Sequence, residues 1–116
     1  MSNINRVNVG KRLSDMAVHN GVAYLAGQVA DDTTQDITGQ TGQILAVIDK
    51  LLATAGTDKT RILMAQIFVA NMKEFDGMNK AWDAWVAEGN APPRATIEAR
   101  LASADYKVEI VVTAAV

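Results

Sequence analysis

Two charged side chains near the C-terminal end have the types and the setting expected of a small-molecule site. Arg94 directly follows a double proline that stiffens the chain, and it heads the polar side of an alternating segment. A guanidinium held there offers a carboxylate two parallel hydrogen bonds, which the ammonium of lysine does not. Glu109 lies within an otherwise apolar strand pattern, where partial desolvation suits a carboxylate to accept and return a proton. The pair predicts carboxylate binding combined with proton transfer.

The same residue types also allow a purely structural interpretation. Arg94 and Glu109 would then form an ion pair, or Glu109 would pair with Lys107 or Arg100. Residue types alone leave both interpretations open.

Composition excludes several classes of function. The chain has 116 residues, 49% of them hydrophobic and 21% charged, which predicts a single domain over residues 1–116 with a buried core. It has no cysteine, so disulfides and thiolate nucleophiles are excluded. A net charge of -2 gives no electrostatic basis for binding nucleic acid or an anionic membrane. No apolar run approaches the ~20 residues that span a bilayer, so we expect a soluble, cytoplasmic protein.

The single histidine limits the chemistry further. One histidine cannot form a multi-histidine metal site or a two-histidine ribonuclease mechanism. His19 directly precedes Asn20-Gly21, a dipeptide typical of a type I′ hairpin turn. We therefore interpret His19 as a hairpin residue and give it no catalytic role.

Periodicity predicts strands and two helices in the order β-β-β-α-β-α-β-β. Apolar residues recur at helical spacing between Asp36, a predicted N-cap, and Gly56, a predicted C-terminal stop. A second helix carries an apolar stripe that includes Trp82 and Trp85, which we interpret as core residues. The predicted strands are residues 6–9, a hairpin over 17–26, 62–69, an alternating segment over 94–101, and 106–116.

This order predicts an α+β fold with one mixed sheet and both helices on one of its faces, because crossover connections are right-handed. The other face would then lack a cover. We expect that face to carry Val111 and Ala114 beside Arg94 and Glu109, and to be too apolar to remain in water. The sequence therefore predicts contact with another subunit there.

Two further motifs have weaker functional interpretations. The segment 39–42 has two glycines, but it lacks the lysine of a phosphate-binding loop and the basic context of an RNA-binding loop. Asp31, Asp32 and Asp36 lack the spacing of a calcium loop. We interpret both as structural.

Several segments together resemble the reactive intermediate deaminase family, also called the RidA/YjgF family. Residues 90–101 and 106–110 resemble its C-terminal signature, including the Pro-x-Arg motif at Arg94 and the later Glu109. Residues 22–28 resemble its Gly-Gln hairpin, and residues 78–82 resemble its asparagine-bearing second helix. Arg-x-Ser-Asp at 12–15, Ala26 where many members have serine, and Trp-Asp-Ala-Trp at 82–85 resemble a divergent branch.

The resemblance implies a chorismate-mutase-like fold that assembles as a homotrimer, with ligand clefts between subunits. It implies that Arg94 holds the carboxylate of a 2-imino acid, that Glu109 positions a water, and that no metal or organic cofactor takes part. The residues implied to bind substrate are Arg94, Thr96, Asn79, Ser14, Gly27 and Gln28.

The function implied is hydrolytic deamination of 2-imino acids and enamines to 2-oxo acids and ammonia, by a 2-iminobutanoate/2-iminopropanoate deaminase-like hydrolase. The alternative is a catalytically silent trimer that binds 2-oxo or imino acids as a sensor or regulator, because positions 14 and 26 depart from the common pattern. A ribonuclease is disfavoured by the lack of a basic excess and of a second histidine.

Overall fold

A computed structural model describes residues 3–116 and has the predicted order of elements. The strands and helices are β1 (Asn5–Val9), β2 (Ser14–His19), β3 (Val22–Leu25), α1 (Ile37–Thr54), β4 (Ile62–Val69), α2 (Phe75–Trp85), β5 (Arg94–Glu98) and β6 (Val108–Ala115). Short 3-10 turns at Lys59–Arg61 and Met72–Glu74 precede β4 and α2.

The strands form one six-stranded mixed sheet in the order β1-β2-β3-β6-β4-β5. β4 and β5 are parallel, and every other neighbouring pair is antiparallel. Each parallel connection, β3 to β4 and β4 to β5, contains a helix, so α1 and α2 lie side by side on one face. The predicted fold class is confirmed.

Local signals end the elements where the sequence predicts. Asn20 and Gly21 both have positive φ, 50° and 78°, as a type I′ turn requires. Asp36 caps α1 by accepting a hydrogen bond from the Gly39 N–H at 2.9 Å. Gly56 follows that helix with a φ of 79°, a conformation that glycine adopts without a steric penalty.

The alternating burial of residues in strand β6 distinguishes the two faces of the sheet. Its helix-facing residues Val108, Ile110, Val112 and Ala114 are fully buried, whereas the alternating residues are half-buried on the opposite face. The prediction that Ala114 lies on the uncovered face is therefore wrong, because the alternation of β6 places it beneath the helices.

The face opposite the helices, which we call the open face, is rich in apolar side chains. Tyr24, Met64 and Ile97 on this face are 52%, 43% and 47% exposed, and Val111 is half-buried among them. Registers place Tyr24 and Met64 on either side of Thr113, in adjacent strands. A sheet face on which several large apolar side chains are exposed is typical of a subunit interface.

The C-terminal strands are shorter than predicted. β5 ends at Glu98 because the chain then leaves β4, the last backbone bond being from Ala99 N–H to the Val69 carbonyl at 3.0 Å. β6 starts at Val108 because the buried Gln40 side chain holds the preceding turn. Its oxygen accepts from Lys107 N–H at 3.0 Å, and its amide donates to the Asp105 carbonyl at 3.2 Å.

The two helices pack against each other and cover one face of the sheet. Within residues 3–116, neither is long and apolar enough to cross a membrane.

Candidate functional site

Arg94 is the first residue of β5, and a backbone hydrogen bond at the preceding residue joins this strand to β4. The Pro93 carbonyl accepts a hydrogen bond from Ala65 N–H of β4 at 3.0 Å, which starts the parallel pairing. The Arg94 Nη1 donates to Asn79 Oδ1 on α2 at 2.8 Å. The structure therefore brings together two of the predicted substrate-binding residues.

Arg94 lies on the helix side of the sheet, which corrects the predicted placement on the open face. In register, Arg94 is paired with Ala65, and Thr96 with the buried Ile67. The apolar side of β5 faces the other way and exposes Ile97. The reason is that β5 is an edge strand whose polar side packs against α2, so the usual rule that the apolar side faces the core is reversed there.

Thr96 lies two residues after Arg94 in β5, so its side chain is on the same face of the sheet. Its hydroxyl oxygen is buried and has no hydrogen-bond partner within residues 3–116. A buried hydroxyl without a partner costs free energy, which a ligand atom or a water bound beside it would offset. Thr96 is thus placed to complete a polar site next to the guanidinium.

Glu109 lies on the open face, and its carboxylate occupies the space where Gly27 has no side chain. A Cβ at Gly27 would lie 2.9 Å from the Glu109 carboxyl carbon and closer still to one of its oxygens. The two segments are joined by a backbone bridge, with Gln28 N–H donating to the Ile110 carbonyl at 2.9 Å and Ile110 N–H donating back at 3.1 Å. Gly27 therefore determines the position of the carboxylate.

Substitution of Gly27 by alanine tests this contact. We expect Gly27→Ala to displace the Glu109 carboxylate and to lower any activity that depends on it by about 10²-fold, the usual effect of misplacing a reacting group by about 1 Å. Gly42→Ala is the matched control, because a Cβ there meets nothing within 4 Å. Steady-state kinetics of both variants give the comparison, and wild-type kinetics in Gly27→Ala would contradict the proposed role of Gly27.

The two remaining predicted residues lie away from Arg94. Gln28 donates its side-chain amide to the Ala26 carbonyl at 3.0 Å, so it braces the segment that carries Gly27. Ser14 starts β2 and pairs with Val9 of β1. Three strands separate β2 from β5, so the structure does not bring Ser14 to the guanidinium within one chain.

The predicted site residues therefore form two groups on opposite faces of the sheet. Arg94, Asn79 and Thr96 lie on the helix side at the β5 edge, and Glu109 lies on the open face with Gly27. Glu109, Phe68 and Ile97 are paired across the three strands, and so are their chain neighbours Ile110, Ile67 and Thr96. Because adjacent residues of a strand point to opposite faces, the two sets lie on opposite faces of the sheet. The alternative of an Arg94–Glu109 ion pair within one chain is thus wrong.

The other candidate motifs have local structural roles. Asp32 accepts hydrogen bonds from both the N–H and the hydroxyl of Thr34, which lower the pKa of its carboxyl group. Asp36 caps α1, and Gly39 makes room for the Gln35 side chain. Within residues 3–116 no three His, Asp or Glu side chains lie close enough together to share a metal ion.

Sequence reasoning missed the aromatic surroundings of Arg94. The Arg94 Cζ lies 5.3 Å from the ring centroid of Trp82 and 5.9 Å from that of Phe75. Trp82 is also buried in the core, as predicted. The signal was present in the helical spacing of Phe75, Asn79 and Trp82, which places all three on one side of α2.

Comparisons with known proteins agree with this architecture. Residues 3–116 match the model of a family described as Endoribonuclease L-PSP. A RutC family protein of Haemophilus ducreyi is 57% identical over 113 residues, which are 97% of each chain. The chain belongs to the RutC/YjgF family. The family member YoaB of Escherichia coli is 45% identical over 111 residues, 96% of each chain.

Solved structures of similar proteins have the same fold. A protein of Pseudomonas aeruginosa superposes with a TM-score of 0.95 at 43% identity and covers 97% of this chain and 98% of its own. A member of the YjgF protein family from Neisseria meningitidis superposes with a TM-score of 0.95 at 40% identity, over 97% of this chain and 94% of its own. The resemblance recognised in the sequence is confirmed.

Proposed function

We propose that this RutC/YjgF family member hydrolyses reactive 2-imino acids and their enamine tautomers to 2-oxo acids and ammonia, as a 2-iminobutanoate/2-iminopropanoate deaminase-like hydrolase. One observation carries the proposal. The half-buried Arg94 guanidinium has a single hydrogen-bond partner within residues 3–116, and that partner is the neutral amide oxygen of Asn79. A partly desolvated cation with only a neutral partner favours an anionic ligand.

The chemistry of the surrounding groups fits a 2-imino carboxylate. The free donors of Arg94 bind the carboxylate, and the unpartnered Thr96 hydroxyl lies on the same face for a ligand atom or a water. Binding through the carboxylate fixes the orientation of the imine carbon and withdraws negative charge from it. Arg94 thereby accounts for recognition of the substrate.

Glu109 supplies the proton transfer. Its carboxylate takes a proton from a water as the water oxygen adds to the imine carbon, and it passes this proton to the imine nitrogen to give a neutral carbinolamine. Glu109 then takes the proton of the carbinolamine hydroxyl and delivers it to the amino nitrogen as the C–N bond breaks, and the 2-oxo acid and ammonia leave. No net electrons are transferred, so the reaction needs neither an oxidant nor a reductant.

Arg94 and Glu109 reach one substrate only if two copies of the chain form the site. They lie on opposite faces of the sheet, so one copy does not present both side chains to the same ligand. We therefore infer a closed homotrimer in which the open face of one copy, with its Glu109, lies against the β5 edge of the next. The exposed apolar residues of the open face support this assembly.

Substitution of Arg94 by lysine tests the carboxylate contact. We expect Arg94→Lys to retain the charge but to raise KM for an imino acid by about 10- to 100-fold, the loss expected when a bidentate charge-assisted bond becomes a point contact. Arg61→Lys, an exposed arginine before β4, is the matched control. A folded Arg94→Lys variant with wild-type KM would show that charge alone suffices.

The activity itself is tested by generating imino acids in situ. An amino-acid oxidase, with catalase present, releases the imine, and formation of the 2-oxo acid is followed with and without the protein. Acceleration that is lost in Arg94→Ala supports the proposal. No acceleration over buffer with any of several amino-acid side chains would refute the hydrolase function.

The second candidate is a binding or regulatory role without turnover. Ala26 supports it, because the segment beside Glu109 offers few free polar groups at this position. Ala26 N–H donates to the Asp15 carbonyl, and the Ala26 carbonyl accepts from Gln28, so both of its backbone groups are occupied. Binding of a 2-oxo acid with no imine hydrolysis would favour this role.

The description Endoribonuclease belongs to the family model, and the residues of this chain argue against that activity. His19 is the only histidine and lies in the β2–β3 hairpin, where one ring nitrogen is 3.3 Å from the Asn3 carbonyl oxygen. RNA cleavage that survives repurification and is lost in Arg94→Ala would contradict us.

A further inference from the structure

The Arg94 guanidinium lies against aromatic side chains that are not part of the proposed chemistry. Its Cζ is 5.3 Å from the Trp82 ring centroid and 5.9 Å from the Phe75 ring centroid. We propose that Trp82, assisted by Phe75, is a positioning residue that fixes the plane of the Arg94 guanidinium and so directs its free donors at the ligand carboxylate. This inference rests on the proposed role of Arg94 as the carboxylate-binding group.

Three contacts from one helix constrain the guanidinium. The aromatic rings attract the delocalised cation within the ~6 Å range of cation–π interactions, and tryptophan is the strongest partner of this kind. The hydrogen bond from Nη1 to Asn79 Oδ1 at 2.8 Å fixes rotation within the guanidinium plane. A planar guanidinium held in this way loses little further conformational entropy when it binds a carboxylate.

The helix that carries these residues is itself held in place. Glu98 of β5 accepts a hydrogen bond from Met72 N–H, directly before α2, at 2.9 Å. On its other side, the Thr38 hydroxyl of α1 donates to the Gly77 carbonyl at 2.8 Å. Gly77 allows this close approach, because a Cβ there would lie 2.7 Å from a methyl of Ile37. The aromatic rings are therefore presented by a rigid support.

The neighbouring Trp85 serves a different purpose and provides a control. Its indole N–H donates to the two carboxylate oxygens of Asp49 at 3.1 and 3.0 Å, and its ring lies under the Lys59 ammonium at 5.2 Å. It touches the Trp82 ring, with centroids 5.3 Å apart, but makes no cation–π contact with Arg94 within residues 3–116.

The test measures pyruvate binding by calorimetry alongside KM and kcat for imine hydrolysis. In Trp82→Leu we expect Kd for pyruvate and KM to rise about tenfold, with a smaller change in kcat. Trp82→Phe should recover most of the loss, and Trp85→Phe should behave as wild type. In an Arg94→Lys background the Trp82→Leu change should have little further effect, because the planar cation it positions is gone.

Three results would overturn the positioning role. They are a folded Trp82→Leu variant with wild-type Kd and KM, an equal loss in the Arg94→Lys background, and pyruvate binding that is unchanged in Arg94→Ala. Thermal unfolding of each variant separates a loss of fold from a loss of positioning. If only Trp82→Leu fails to fold, Trp82→Phe takes its place. A small remaining rise in Kd for pyruvate that disappears in the Arg94→Lys background supports the positioning role, and a Kd equal to that of Trp85→Phe overturns it.

A spectroscopic readout separates this inference from the hydrolase proposal. In Trp85→Phe, Trp82 is the only tryptophan of the chain, so we expect pyruvate to change its fluorescence, and the change to vanish when Arg94→Ala is added. Pyruvate binding needs no turnover, so a wild-type protein without imine hydrolysis would refute the deaminase function while this titration still tests the role of Trp82.

Discussion

Glutamine in place of Glu109 is expected to lower kcat for imine hydrolysis by about 10²–10⁴-fold, the usual contribution of a positioned general base. The substitution keeps the shape of the side chain in the space beside Gly27 and removes only the ability to accept a proton. Binding of pyruvate should therefore survive, because Arg94 and Asn79 are unchanged.

The experiment compares Glu109→Gln with Glu88→Gln, which changes an exposed glutamate after α2 and should leave both kinetics and binding unaltered. Parallel loss of binding and turnover in Glu109→Gln would instead assign Glu109 a role in assembly or ligand contact. Near-wild-type kcat would require a different base.

Aspartate in place of Val111 is expected to abolish assembly and catalysis together. Val111 lies half-buried on the open face, next to Gln66 of β4 and between the exposed Tyr24 and Ile97 positions of that face. Burying an unpaired carboxylate in an apolar interface costs several kcal/mol, which is comparable to the free energy that holds small oligomers together. The open face of each copy would then remain in water.

Light scattering provides the measurement. The wild type should have a mass about three times the 12.4 kDa of one chain, and Val111→Asp a mass near that of one chain. Val47→Asp is the matched control, because Val47 is a partly exposed valine of α1 on the helix side. A monomeric variant with full activity would contradict a site formed by two copies.

Short-range signals explain why so much of the fold is predictable from the sequence. Asn20-Gly21 sets a hairpin by its own backbone preference, and Asp36 and Gly56 define α1 through caps that involve only neighbouring residues. Parallel crossovers of one hand then place both helices on the same face. Each of these inferences depends on interactions within a few residues of the chain.

The placement of Arg94 depends on interactions that the local pattern does not contain. Alternation in β5 divides Arg94 and Thr96 from Ala95 and Ile97, but it does not tell which set faces the helices. The register of β5 on β4 and the contact with α2 decide this, and both are long-range. The apolar side of an edge strand is free to face another subunit.

The contact between Gly27 and Glu109 is not predictable from the local sequence, for the same reason. The Gly-Gln segment was identified by resemblance as part of the substrate site. The structure gives Gly27 a physical reason for being glycine, because the Glu109 carboxylate fills the position of its missing side chain. That contact joins residues far apart in the sequence, across the Gln28–Ile110 bridge.

The central claim is that Arg94 of one copy and Glu109 of another act on the same imine, and mixed oligomers test it most directly. Arg94→Ala and Glu109→Ala are each expected to be inactive alone. When the two variants are co-expressed with different tags and the mixed oligomers are purified, sites that combine the intact Arg94 of one chain with the intact Glu109 of the other should form. In a closed ring of three, each mixed oligomer has one such site out of three, which predicts recovery of about a third of wild-type sites. Mixed oligomers that remain as inactive as the separate variants would contradict the shared site.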